Sequence, residues 1–322
     1  MQFWKSLGFL ALALGLAAGA RADAFPAKPM KIIVPFAPGG STDVMARMMA
    51  DGLTRRMKQQ VVVDNKTGAG GNIGADAVAK SPADGYTLVM GSIGTHATNS
   101  LIYPQMPYDT LKDFEPVTQV AAVTLVLVTH PSLPVKSVKE LVELLHKEPG
   151  RYDYASGGVG ASQHLAGELF KYMTHTKMTH VPYKGSAGAL SDLLSGRVPI
   201  MFADLPLVLA HIQSGTLRAL AVGDKQRSAA LPDVPTVAEA GVPGYAANAW
   251  YGLFAPARTP EAVVDKLQTQ IAAILQEPAV RKRMTELGAT PVGGKPSEFR
   301  AFQAAEIKRW KEVVDSAQIR ME

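Results

Sequence analysis

The chain contains no cysteine. That absence excludes disulfide scaffolds, thiolate metal sites and cysteine nucleophiles, and it suits an oxidising compartment where a stray thiol is a hazard. Massed positive charge is also missing. The net charge of +5 is spread among acidic residues, with Arg281-Lys282-Arg283 as the one tight run, which a solvated helix face explains without any nucleic-acid partner. A mildly basic balance argues only for steering anionic solutes. Beyond the first two dozen residues, no stretch reaches the roughly 20 apolar residues that span a bilayer without meeting a charge or a proline.

Enzyme signatures are equally scarce. There is no H-E-x-x-H, and the pattern G-x-S-x-G fails around Ser92, where Met90 precedes it, and around Ser186, where Lys184 does. Gly68, Gly70 and Gly74 follow a β-rich run but depart from the dinucleotide-loop spacing. The seven histidines form no metal-like cluster beyond His175 and His180. No cofactor and no metal are expected.

The N-terminus carries Lys5, an apolar run over residues 7–20 and the small-residue sequence Ala22-Asp23-Ala24. This is the layout of a secretory signal, so residues 1–24 read as a signal peptide cleaved after Ala24. The remaining length exceeds what one hydrophobic core usually holds, so two lobes are expected.

From Met30 onward the sequence repeats a unit of short β-rich run, glycine-rich turn and amphipathic helix, the pattern of a parallel sheet covered by helices. The first unit is Lys31-Ile32-Ile33-Val34-Pro35-Phe36, then Ala37-Pro38-Gly39-Gly40-Ser41-Thr42, then a helical pattern over residues 43–58. Further strands are read at residues 61–63 and 87–90. After a long apolar run over residues 117–129 the pattern restarts and continues to residue 222. Residues 224–245 are proline-punctuated, residues 250–254 form another β-rich run, and the tail is helical, with helices starting at Pro260, Pro278 and Pro296. A short strand at residues 290–292 cannot form its own sheet and is expected to return to the first lobe.

Four glycine and hydroxyl turns stand between a strand and a helix: residues 38–42, 92–95, 157–162 and 184–186. Each aims unpaired backbone N–H groups and a positive helix end at whatever sits above it, and glycine allows close approach. One such turn is an ordinary cap; four, two in each proposed lobe, suit a carboxylate or phosphate. Among individual side chains, Asp43 suits the first turn of its helix, Asp204 is a candidate acceptor for a ligand amine or hydroxyl, and Lys184 a candidate partner for an anion. Phe36, Tyr183 and Trp250 are candidate walls, and His96 and His164 candidate ligand contacts.

The runs Ile33-Val34-Pro35-Phe36-Ala37-Pro38-Gly39-Gly40-Ser41-Thr42-Asp43, Gly70-Gly71-Asn72-Ile73-Gly74 and Ser81-Pro82-Ala83-Asp84-Gly85-Tyr86-Thr87-Leu88 resemble the Bug proteins, the solute receptors of tripartite tricarboxylate transporters. So do His164-Leu165-Ala166-Gly167-Glu168, Val181-Pro182-Tyr183-Lys184-Gly185 and the segment over residues 231–241. The resemblance implies an α/β, two-lobed type II periplasmic-binding-protein (Venus flytrap) fold with the ligand between the lobes. It further implies that one carboxylate is held by N–H groups and ordered waters from Pro38, Gly39, Gly40, Ser41 and Thr42 and from Ser92, Thr95 and His96. The second lobe would add Gly160, Ala161, Ser162, Gln163, Tyr183, Lys184, Gly185 and the residue after Met201-Phe202. Many relatives place an acid directly after that phenylalanine. This chain has Ala203 there and Asp204 one place on, which argues against carrying over an ammonium-bearing ligand.

The sequence therefore reads as a periplasmic, monomeric receptor, not an enzyme, with lobe 1 at residues 25–122 and 245–322 and lobe 2 at 123–244. It would bind a small mono- or dicarboxylate and present it to the membrane subunits of a tripartite tricarboxylate transporter or to a sensor kinase. An exported serine hydrolase using Ser92 or Ser162 with His96 or His164 is the rival expectation, and a surface interaction protein a third.

Overall fold

The computed structural model describes residues 25–316 and 318–319; the leader and its cleavage position lie outside them. The first series of units forms as β1 (Met30–Val34), α1 (Ser41–Met57), β2 (Val61–Asn65), α2 (Asn72–Ala79), β3 (Thr87–Ser92) and α3 (Asn99–Ile102). β1 is buried at Met30, Ile32, Ile33 and Val34, as a strand covered on both faces must be, and it pairs in parallel with both β2 and β3.

β4 (Phe114–Thr129) then runs through both lobes. At about 3.3 Å per residue its 16 residues make a rod of roughly 50 Å. The second series is α4 (Val138–Lys147), β5 (Asp153–Ser156), α5 (Ser162–Thr174), β6 (Thr179–Pro182), α6 (Ser186–Leu194), β7 (Ile200–Asp204), α7 (Leu205–Gln213) and β8 (Arg218–Val222). The chain closes with β9 (Asn248–Pro256), α8 (Glu261–Gln276), α9 (Pro278–Glu286), β10 (Ala289–Pro291) and α10 (Pro296–Ser316).

The strand order is β2-β1-β3-β9-β4-β7-β5-β6, with β10 and β8 also on β4. β4 changes partners midway: Phe114 to Thr124 lie against β9, and Leu125 to Thr129 against β7 and β8. β10 joins the first half, at Ala121, Ala122 and Val123. A second connection returns beside β4, where Gly223 N–H donates to Leu125 O (2.7 Å) and Ala247 N–H to Gly223 O (2.8 Å). A side chain at Gly223 would put its Cβ 2.4 Å from the Ala247 carbonyl, so only glycine lets the strands pass this closely.

The C-terminal helix locks this frame. In α10, Gln303 Nε2 donates to His96 O (2.7 Å) and Thr110 O (3.0 Å), which pins the segment after β3. Glu306 is buried and accepts both indole N–H groups, from Trp250 and Trp310, at 3.2 Å each. Because an unpartnered buried donor costs about 1–3 kcal/mol, Glu306→Ala should lower the unfolding free energy by about 2 kcal/mol or more, and Glu306→Gln, which keeps an acceptor, by less. Urea unfolding measures both; equal losses would show that the indole bonds are not what Glu306 contributes.

Candidate functional site

α4 has a side-chain cap, with Ser137 accepting the Glu140 N–H at its start, whereas α2, α7, α8 and α9 have none, so an absent cap alone marks no site. α1, α5 and α6 are set apart by where they begin. Their caps are Gly40, Ala161 and Gly185, and none has a side-chain cap bond. All three helices begin at the same cleft, so their first N–H groups and positive dipole ends converge there.

The inner cavity of this cleft is lined by Phe36, Gly40, Ser41, Thr42, Ser92, Gly157, Ala161, Ser162, Gln163, Ser186 and Tyr251. Six of these carry a hydroxyl and none a charge. Its volume is about 20 Å³, little more than one water requires. An outer cavity of about 230 Å³ shares Phe36 and Gly157 with it and continues past Tyr103, Tyr183 and Lys184. Gly157 lets the two loops approach closely: a Cβ there would lie 2.9 Å from Ser186 Oγ and 3.1 Å from Ser186 N, so a side chain would press them apart.

The two sides are in contact. Ala37 N–H donates to Lys184 O (3.2 Å), Thr98 Oγ1 to Gly160 O (2.9 Å), and Tyr251 O–H to Asp204 Oδ2 (2.8 Å). Each bond joins an element of the β1–β3 and β9 lobe to one of the β5–β7 lobe. The structure is a closed form.

Several side chains hold the loops without facing the cavity. Asp43 accepts Gly39 N–H (3.0 Å), the Arg47 guanidinium (2.9 and 3.0 Å) and the Asn65 amide (2.9 Å), which ties the β1–α1 turn down. Burial opposes its ionisation, but the bonds from Arg47, Gly39 and Asn65 outweigh burial and hold the carboxyl below its usual range. Thr95 Oγ1 accepts Ser92 N–H at 3.1 Å. Asp204, fully buried, lies behind Ser41, Gln163 and Tyr251; burial raises its pKa against the opposing bonds from those three.

Of the expected site residues, the inner cavity gathers Phe36, Gly40, Ser41, Thr42, Ser92, Ala161, Ser162 and Gln163. Tyr183 and Lys184 stand in the outer cavity, Pro38 and Gly39 are exposed and line neither cavity, and Gly160 and Gly185 supply lobe contacts through backbone. Other expectations are corrected: Thr95 and His164 are buried and line neither cavity, and Asp204 lies behind the lining. His96 does not face the cleft: the π-helical turn Gly94–Thr98 turns its ring into the core, 3.9 Å from Phe254 in a stack and edge-on to Phe114 at 4.6 Å. Trp250 is core as well; its neighbour Tyr251 faces the cleft, because successive strand residues point to opposite sides. Gly157, Ser186 and Tyr251 were missed, although the first two stand in turns already marked by their glycine and hydroxyl pattern.

Among the described residues, none of the four serine–histidine pairs of the hydrolase alternative forms a hydrogen bond. His96 Nδ1 contacts Thr95 Oγ1 (2.9 Å), and His164 Nδ1 accepts Gly160 N–H (3.1 Å) while its ring stacks on His180 at 4.0 Å. His180 Nε2 does meet Ser156 Oγ at 2.6 Å, but Ser156 is fully buried and its hydroxyl also bonds the Gly158 backbone.

Burial depresses these three imidazoles from 6.5 to about 3 for His96, about 4 for His164 and about 3 for His180. They stay neutral in the fold while the unfolded chain takes up protons below pH 6.5, so stability from them is present above that pH and is lost as pH falls toward 4. Each contributes a slope of about 1.4 kcal/mol per pH unit; Asp204 and Asp224, raised by burial, pull the other way. His96→Leu should therefore reduce the pH slope of unfolding free energy between pH 6 and 5 by about one proton. Denaturant titrations at the two pH values measure it, and an unchanged slope would mean that the His96 ring titrates normally in the fold.

A family described as tripartite tricarboxylate transporter family receptor matches residues 45–319. Protein BugT of Bordetella pertussis is 44% identical over 309 residues, covering 96% of this chain and 95% of that protein. The structure of R. palustris Rpa4515 with adipate is 42% identical with a TM-score of 0.90, covering 92% of this chain and all of that one. MatC (Rpa3494) from Rhodopseudomonas palustris with bound malate is 33% identical with a TM-score of 0.87, covering 90% and 100%.

Proposed function

The chain belongs to the tripartite tricarboxylate transporter receptor family, and from that premise we propose that it is a periplasmic receptor that reversibly captures a small carboxylate between its lobes for uptake. The observation that carries this reading is the convergence of three uncapped helix N-termini and six hydroxyls on a cavity with no charged side chain. Such a surface replaces the water of a carboxylate with fixed N–H and O–H donors, and it does so without a nucleophile or a base. The adipate and malate held by the two R. palustris proteins are of the same chemical class.

Binding follows from the geometry. One carboxylate sits between the N-termini of α1, α5 and α6; the rest of the molecule leaves past Phe36 into the outer cavity, where Tyr183 flanks it and Lys184 meets a second acid if there is one. The inner cavity is too small to admit such a molecule while the lobes touch, so entry requires the bonds at Ala37, Thr98 and Tyr251 to part. The lobes are residues 25–122 with 245–322, and 123–244, hinged where β4 changes partners and where Gly223 returns beside it. The leader over residues 1–24 supports export, with cleavage after Ala24. The closed form is then presented to the membrane subunits of a tripartite transporter.

A thermal-shift series with linear dicarboxylates and monocarboxylates tests the ligand class. At about 100 times its dissociation constant a ligand adds roughly 2.7 kcal/mol, so at least one carboxylate should raise Tm by several degrees, and Ser162→Trp should abolish the rise. If no carboxylate shifts the melting point, or if the tryptophan variant responds like the parent, the assignment is wrong.

A further inference from the structure

Asp204 ends β7 at the floor of the cleft and is fully buried. Its Oδ2 accepts the Tyr251 hydroxyl at 2.8 Å, while its Oδ1 has no hydrogen-bond partner. Ser41 Oγ, at the first position of α1, is buried and equally without a partner. Both residues are buried at the cleft, and Ser41 is among the groups that favour the Asp204 carboxylate.

Among the described residues, no cation is among the groups that bias this carboxyl. On β4 its register partner is Leu125; β9 offers Tyr251; α5 offers Gln163 and, next to it, His164, which is neutral and bonded to Gly160. On α1, Asp43 is engaged by Arg47 and Asn65, and Arg47 has its charge spent there. The groups that bias Asp204 are Tyr251, Ser41 and Gln163, all uncharged, and burial works against the anion. Ser41, Gln163 and Tyr251 are also lining residues of the inner cavity. A ligand carboxylate there would stand one side chain away from a buried carboxylate of the protein, and two such groups in a dry site cannot both ionise without strong repulsion.

We propose that Asp204 is protonated when the cleft holds its ligand, so that the site selects carboxylates without an ammonium group beside the bound acid. This rests on the carboxylate-receptor reading and narrows it. Asp204 is a positioning residue, acting through Tyr251 and Ser41. As an anion it draws their hydroxyl hydrogens toward itself and presents oxygen lone pairs to the ligand. As a neutral acid it leaves the Ser41 hydroxyl free to turn its hydrogen into the cavity. The proton therefore determines whether the cleft floor repels or receives an anion, and affinity for a carboxylate falls as pH rises through the ionisation of Asp204.

Infrared difference spectra of the parent protein against Asp204→Asn, with and without adipate, report the state of this one carboxyl, and titration calorimetry with adipate across a pH series reports its consequence. We expect a carboxylic-acid stretch from Asp204 in the adipate complex, with affinity declining by up to about tenfold per pH unit once that band is lost in the free protein. In Asp204→Asn, which cannot ionise, this decline disappears, and 2-aminoadipate binds the parent more weakly than adipate. A carboxylate band from Asp204 in the adipate complex overturns the proposal, as does tighter binding of 2-aminoadipate that Asp204→Asn abolishes; both leave the carboxylate receptor standing. Absence of binding at every pH by adipate and by every acid of the thermal-shift series overturns the receptor reading and this proposal with it.

Discussion

An anion entering the inner cleft loses its water where no lysine, arginine or histidine lines the wall. Its charge must be met by backbone N–H groups at the starts of α1, α5 and α6 and by the hydroxyls around them. Each helix end supplies only a partial charge, and that contribution fades within the first turn. One helix is therefore too little, and α1 lies on one lobe while α5 and α6 lie on the other. In the proposed receptor, closure of the lobes assembles them, so that binding and domain motion would be one event.

The supporting structure serves that assembly. Asp43 fixes the turn before α1, Thr95 the end of β3, and Gln303 reaches from α10 to the His96 carbonyl to brace the same segment from behind. β4 runs continuously through both lobes, and Gly223 lets the return connection lie against it. Burial of Glu306 beneath two indoles keeps the C-terminal helix on the first lobe, so the brace moves with the loop it supports.

Much of this was legible in the sequence because it is local. The strand–turn–helix units, the glycine and hydroxyl turns and the family resemblance, which the match over residues 45–319 bears out, all depend on residues close in the chain. Eight of the expected contacts line one cavity for that reason. The misplacements have a different cause. Which face of β9 meets the cleft depends on its pairing with β3 and β4, so Trp250 was read as wall and Tyr251 overlooked. His96 follows a hydroxyl turn in sequence, yet a π-helical turn rotates it into the aromatic core beside Phe254. The contacts that hold the lobes shut, Ala37 with Lys184 and Tyr251 with Asp204, join segments far apart in the chain, and no local pattern announces them.

The central claim is that main-chain donors, rather than a charged side chain, carry the bound carboxylate. Backbone amide resonances followed by NMR as adipate is added test it most directly. The account predicts the largest shifts, in the direction of stronger hydrogen bonding, at the N–H groups of Ser41, Thr42, Ser162, Gln163 and Ser186, the first turns of the three uncapped helices. Saturable binding that leaves those amides in place, and instead moves only groups around Lys184 or on the outer surface, would contradict it.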